Sequence, residues 1–205
     1  MLELLSPWPR ATVLEIGGGH GQLAGPLSAA GYDLTVHGSV TEACSDGIRA
    51  LATKGRLRFE AAPLSSLPWP DRSFDAVIAV RLLPHADDWR RLVWDLCRLA
   101  RHAVIVDYPT KRSVNAVGSA LFDAKKGIEG NTRPFRVFTE RETDEAFAAC
   151  SFRSTARRPE FALPMALHRA LGLPGFSRTA EGLARAIGAT ALLGSPVVRR
   201  AERRE

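Results

Sequence analysis

Cysteine is scarce in this chain, and its three copies, Cys44, Cys97 and Cys150, stand far apart. An odd number at that spacing excludes a disulfide framework and leaves no Cys-x-x-Cys pair for a metal. The three are expected to be buried thiols in a reducing compartment, which points to the cytoplasm. The five histidines are scattered as well, so no metal-ligand set is legible. No apolar run approaches the ~20 residues of a membrane span. The opening residues, Met1-Leu2-Glu3-Leu4-Leu5-Ser6-Pro7-Trp8-Pro9, lack a basic segment followed by an apolar one, so no secretory leader is expected.

What is present suits a soluble globular protein. A chain of 205 residues with 45% hydrophobic and 24% charged content can bury one full core, so residues 1–205 are expected to form a single domain. The net charge of +6 is uneven. Residues 1–108 carry 11 Lys/Arg against 12 Asp/Glu, and residues 109–205 carry 17 against 10. A basic second half without stacking aromatics reads as a solvated surface, and no nucleic-acid partner is expected.

The most informative stretch is Val13-Leu14-Glu15-Ile16-Gly17-Gly18-Gly19-His20-Gly21. A short apolar run ends in a carboxylate, glycines follow, and residues 22–30 read as a helix stopped by Gly31. Strand, glycine turn and helix form a unit in which a ligand lies against bare backbone. A dinucleotide fingerprint needs a third glycine at position 22, which is Gln22. The register is instead E-x-G-x-G-x-G. It resembles the first motif of the class I S-adenosylmethionine-dependent methyltransferases, whose ligand carries a cationic amino group and a sulfonium but no pyrophosphate. The link Leu67-Pro68-Trp69-Pro70-Asp71-Arg72-Ser73-Phe74-Asp75 resembles a second signature, L-P-F-P-D-x-S-F-D, of small-molecule and quinone-biosynthesis members.

The rest of the chain alternates strands and helices. Strands are expected at 33–37, 57–61, 76–80, 103–106, 152–163 and 195–198. Ser39–Glu42 and Thr139–Glu142 have capping-box spacing and are expected to open helices that run to about Thr53 and Cys150. Residues 88–101 carry an amphipathic helix. The implied fold is Rossmann-like and doubly wound: a mostly parallel seven-stranded sheet with an antiparallel last strand. Insertions at about 110–137 and 160–190 are expected to cover a substrate, and the tail Arg199–Glu205 is expected to fray.

The resemblance implies S-adenosyl-L-methionine as cofactor, held by Glu15, Gly17, Gly18, Gly19 and Gly21, with His37, Gly38, Ser39, Leu64 and Arg81 completing the site. Two positions depart from the family. His37 stands where an acid binds the ribose, and Pro63 stands where an acid faces the adenine amino group. His37 is expected to offer one acceptor nitrogen to a ribose hydroxyl. His85, in Arg81-Leu82-Leu83-Pro84-His85 after the fourth strand, is the candidate general base, and Tyr108 is a second candidate catalytic group. The implied reaction is methyl transfer to a small, partly apolar acceptor, with O-, N- or C-methylation open. Two other readings stay open. One is a cofactor-binding protein with a degenerate adenosine pocket. The other is an RNA methyltransferase, although Ala79–Pro84 lacks the N/D-P-P-Y/F-like tetrapeptide of amino-methylating enzymes. No feature indicates an oligomeric state.

Overall fold

Hydrophobic strands that are apolar on both faces can persist only between two layers, and the pattern Ala76-Val77-Ile78-Ala79 dictates such a centre. The computed structural model describes residues 1–18, 20–40, 44–55, 57–112, 135–161 and 189–204. In chain order the elements are α1 (Leu2–Leu5), β1 (Thr12–Ile16), α2 (Ala24–Ala29), β2 (Asp33–Gly38), α3 (Asp46–Thr53), β3 (Arg58–Ala61) and β4 (Phe74–Ala79). A 3-10 turn (Leu83–His85), α4 (Trp89–Leu99), β5 (Ala100–Tyr108), α5 (Glu140–Ala149), β6 (Phe152–Pro159), α6 (Ala189–Leu193) and β7 (Val197–Arg203) follow.

The seven strands form one sheet in the order β3-β2-β1-β4-β5-β7-β6. β1 to β5 are mutually parallel, and β7 runs antiparallel to both β5 and β6. The chain steps outward from β1 to β3 and then returns to β4. The order therefore reverses between β1 and β4, where open α/β sheets bind ligands at their carboxyl ends. One sheet face packs Leu14, Ile16, Val77, Val104 and Val106 against α4 and α5. The other packs Val13, Leu34, Val36, Ile78 and Ile105 against α1, α2 and α3. No helix among the described residues is long and apolar enough to cross a membrane.

Local signals explain most boundaries. The expected box at Thr139 is formed: its hydroxyl accepts from the Glu142 amide at 3.2 Å, and Glu142 accepts from the Thr139 amide at 2.8 Å. The helix after β2 is a correction. It begins at Asp46, capped by the Ser45 side chain, and Ser39 lies in a bend instead. β6 ends at Pro159, short of the expected position 163, while β4 and β5 are longer than expected.

The expected frayed tail is also corrected, because Arg199 to Arg203 belong to β7. Ladder bonds on both sides hold that backbone, and alternation turns Arg199 inward, where it is 6% exposed. Its guanidinium donates to the Tyr108 hydroxyl at 2.8 Å, to Ser154 Oγ at 2.7 Å and to Asp144 Oδ2 at 3.0 Å. A buried cation holds its place only when its donors are matched in this way. Most of the two expected cover segments (113–134 and 162–188) lie outside the described residues. At their edges, Thr110 bridges Phe138, and the Arg136 amide donates to the Pro84 carbonyl at 2.9 Å.

Truncating Arg199 would leave the Tyr108, Ser154 and Asp144 partners without their shared donor. Arg199→Ala is expected to lower the unfolding free energy by about 3 kcal/mol in denaturant titration, softened because Asp144 is half-exposed and can rehydrate.

Candidate active site

β1 delivers Glu15 to the sheet's carboxyl edge, and the turn behind it is built to leave that carboxylate room. Gly17 has φ +72°, a left-handed conformation that favours glycine. At Gly18 the constraint is space: a Cβ would stand 2.4 Å from Glu15 Cδ and 2.8 Å from its Oε1. Glu15 is 4% exposed, and its Oε2 has no hydrogen-bond partner among the described residues. Desolvation with no compensating cation pushes its pKa up to about 7.

Glu15, Gly17, Gly18, His20 and Gly21 line a small cavity of about 40 Å³, together with Gln22, Leu23, Val80 and Arg81. The last four also border a larger cavity of about 670 Å³ that reaches Leu4, Asp107, Glu160, Phe161, Pro196 and Val198. Arg81 is the hinge between the two. Its φ of +57° is unusual for a residue with a side chain. Its amide donates to Asp107 Oδ1 at 2.5 Å, and its guanidinium donates to Gln22 Oε1 at 2.7 Å. Burial raises the Asp107 pKa despite the Arg81 amide and its charge.

The other expected site residues fall elsewhere. His37 is 1% exposed; its Nδ1 accepts a long hydrogen bond from the Gly17 amide at 3.4 Å, and its Nε2 lies 2.7 Å from the Ala62 carbonyl. Those two contacts define a neutral ring protonated on Nε2, so the expected free acceptor nitrogen is not there. Register gives the reason. His37 pairs with Ile16, not with Glu15, so it faces the opposite side of the sheet and approaches Trp69 edge-on at 6.0 Å. Burial holds its pKa below the usual histidine range.

Gly38 ends β2, and its carbonyl accepts from the Ala62 amide; Ser39 is exposed beyond it, and Leu64 is half-buried against the core. Gly19 lies outside the described residues. His85 is exposed in the turn after β4, its ring 5.7 Å from Phe135. Tyr108 is corrected: it is fully buried beside Phe138, and its hydroxyl accepts from Arg199 and from Thr143 at 3.3 Å, so it faces the core. Sequence reasoning missed Gln22, Glu160 and the Glu3–Arg158 ion pair at the cavity rim. Gln22 had a signal, since it fills the position where a third glycine would stand. A pair 155 residues apart in the chain had none.

Comparison with known proteins agrees with the fold. Residues 14–106 match the family model described as a methyltransferase domain. An O-methyltransferase from Pyrenophora dematioidea is 28% identical over 106 residues, covering 49% of this chain and 39% of that protein. The chain thus spans about two fifths of that curated relative. Magnesium protoporphyrin IX methyltransferase from Synechocystis PCC 6803, solved with bound SAH, superposes at TM-score 0.67 and 16% identity, over 99% of this chain and 78% of that one. The 1,6-didemethyltoxoflavin-N1-methyltransferase of Burkholderia thailandensis gives 0.64 and 18%, over 99% and 76%. At such identities the structural likeness is one of fold.

Because both His37 nitrogens are taken within the protein, an acid there gains no ligand and loses two internal contacts. His37→Asp is expected to lower stability by about 2 kcal/mol in thermal or denaturant unfolding. Tighter cofactor binding in that variant would restore the ribose assignment.

Proposed function

We propose that this chain, a class I S-adenosylmethionine-dependent methyltransferase by its fold and by the family model over residues 14–106, transfers a methyl group to a small, partly apolar acceptor. The observation that carries the reading is the buried carboxylate of Glu15, whose Oε2 has no hydrogen-bond partner among the described residues, in a glycine turn whose Gly18 leaves it space. A carboxylate held protonatable near neutrality, with one oxygen unused, suits a ligand that brings its own cation. The residues that would hold the cofactor are Glu15, Gly17, Gly18, Gly19 and Gly21, with Arg81 closing the side toward β4. Bound there, S-adenosylmethionine supplies a methyl carbon activated by a positively charged sulfur.

The chain's own contribution is positioning and the handling of one proton. The 670 Å³ cavity offers apolar walls from Leu4, Leu23, Val80, Phe161, Pro196 and Val198, which support a partly apolar acceptor. Asp107 stands at the cavity's edge with its affinity for a proton raised. It is therefore placed to take a proton from a hydroxyl or amine. His85, the base expected from the sequence, sits in the adjacent turn, close enough for its charge to act on Asp107. The second reading, a protein that binds the cofactor without transferring a methyl group, draws on one observation. Neither His37 nor Pro63 provides an acceptor where the family places acids.

Glu15 supplies a test that needs no acceptor. Its folded-state pKa is raised, from 4.5 to about 7, so its contribution to folding is full below about pH 4.5 and is lost as pH rises through 7. A cation bound beside it favours the carboxylate, so cofactor binding near pH 6 is expected to release about one proton, and binding near pH 8 almost none. Calorimetry in two buffers of different ionisation enthalpy measures this directly. Glu15→Gln should abolish the proton release, weaken binding about tenfold, and stabilise the free protein near pH 8 by up to about 3 kcal/mol. Proton release unchanged in Glu15→Gln would remove Glu15 from the site.

A further inference from the structure

At the end of the sheet opposite Glu15, where α4 runs into β5 and α5 into β6, a cavity of about 210 Å³ opens on the surface. Its wall holds two thiols, Cys97 from the last turn of α4 and Cys150 from the residue that ends α5. Both line the same cavity, and Cys150 packs against the apolar cluster that includes Cys97. Cys97 is buried, while Cys150 is half-buried and reachable from solvent. The expectation of three buried thiols is thus corrected at Cys150.

The cavity is also cationic. Arg72, Arg98 and Arg203 line it against a single carboxylate, Asp71, which already pairs with Arg98 at 2.9 Å. Arg203 is pinned beside the thiols, donating through Nη2 to the carbonyls of Cys97 at 2.9 Å and Ala100 at 2.7 Å. Burial and the neighbouring Arg72 charge lower its pKa, a repulsion that an arriving anion relieves.

We propose that Cys150 and Cys97 form a thiol modification site, in which Cys150 attacks small disulfides bearing carboxylates, of the glutathione disulfide class, and Cys97 resolves the adduct. In the first step the Cys150 thiolate bonds to one sulfur of the small disulfide. The S–S bond breaks, and the departing thiolate carries away its electron pair. In the second step Cys97 gives its proton to solvent and attacks the Cys150 sulfur, expelling the second small thiolate. Overall the protein dithiol is oxidised to a disulfide, and one small disulfide is reduced to two thiols.

The environment sets this order. The neighbouring Cys97, helped by the Arg203 charge and opposed by burial, brings the Cys150 thiol down to about 7, so much of it is thiolate at neutral pH. Cys97 is pushed the other way by the neighbouring Cys150, by burial and by that thiolate's charge. Two of these three causes vanish once Cys150 carries an adduct, and the resolving thiol is then released to react.

Wild-type protein treated with glutathione disulfide near neutral pH, followed by peptide mass mapping, is expected to yield a Cys97–Cys150 disulfide. Glutathione disulfide with its carboxylates masked as esters should react about fivefold more slowly at low ionic strength, and added salt should narrow the gap. Cys97→Ser should stop at a glutathionyl adduct on Cys150, with Cys44 unmodified. Equal rates for the two reagents, modification of Cys44 first, or no product at Cys150 would each overturn the proposal. The two wild-type rates decide the matter even where Cys97→Ser fails to fold.

Discussion

A buried carboxylate with one oxygen unpaired among the described residues is the constraint to which the rest of this site answers. Glu15 is carried under the sheet's carboxyl edge between the apolar Val13, Leu14 and Ile16 of its strand, and no cation among the described residues is found to lower its pKa. Gly18 exists in the form it does because any Cβ would strike that side chain. The strand order then matters, because it sets β1 beside β4 where the winding reverses, and so opens a ligand cleft above the carboxylate. A more comfortable residue at position 15 would stabilise the free protein. Its absence is a stability cost accepted at a functional position.

Sheet parity divides the labour between the two faces. Glu15, Ile78, Ile105 and Asp107 project to one side, so both carboxylates at the strand ends meet the same cleft. Ile16, His37, Val106, Tyr108 and Arg199 project to the other, where polar groups are matched internally: His37 by Gly17 and Ala62, Tyr108 by Arg199 and Thr143. Polar residues one position apart on a strand therefore have different fates. One waits for a ligand, and its neighbour is a satisfied part of the core.

That division explains which sequence expectations held. The strand–glycine–helix unit, the alternation of strands and helices and the Thr139 box rest on neighbours within a few residues, so local chemistry specifies them. His37 and Tyr108 were placed in the site because they stand at strand ends. Standing at an end does not say which face a side chain takes. Arg199 was read as solvated tail because a run of arginines has no hydrophobic period. A buried guanidinium is decided by distant partners such as Tyr108, Asp144 and Ser154. The Cys97–Cys150 contact joins two helix ends more than fifty residues apart in the chain, and thiol spacing alone carries no trace of it.

By itself the sequence determined a doubly wound α/β sheet and a glycine turn after Glu15, because alternating apolar runs and clustered glycines act through backbone geometry over short range. It also determined that this turn lacks a dinucleotide register, since Gln22 is a matter of spacing alone. Only the tertiary structure decided that Glu15 is buried with its Oε2 unpaired among the described residues, that Asp107 holds Arg81, that His37 and Tyr108 are already bonded, and that Cys150 meets Cys97 among arginines. Each of these depends on burial and on partners from other elements. Desolvation and pairing, which set a side chain's charge and reach, belong to the assembled surroundings and not to the residue.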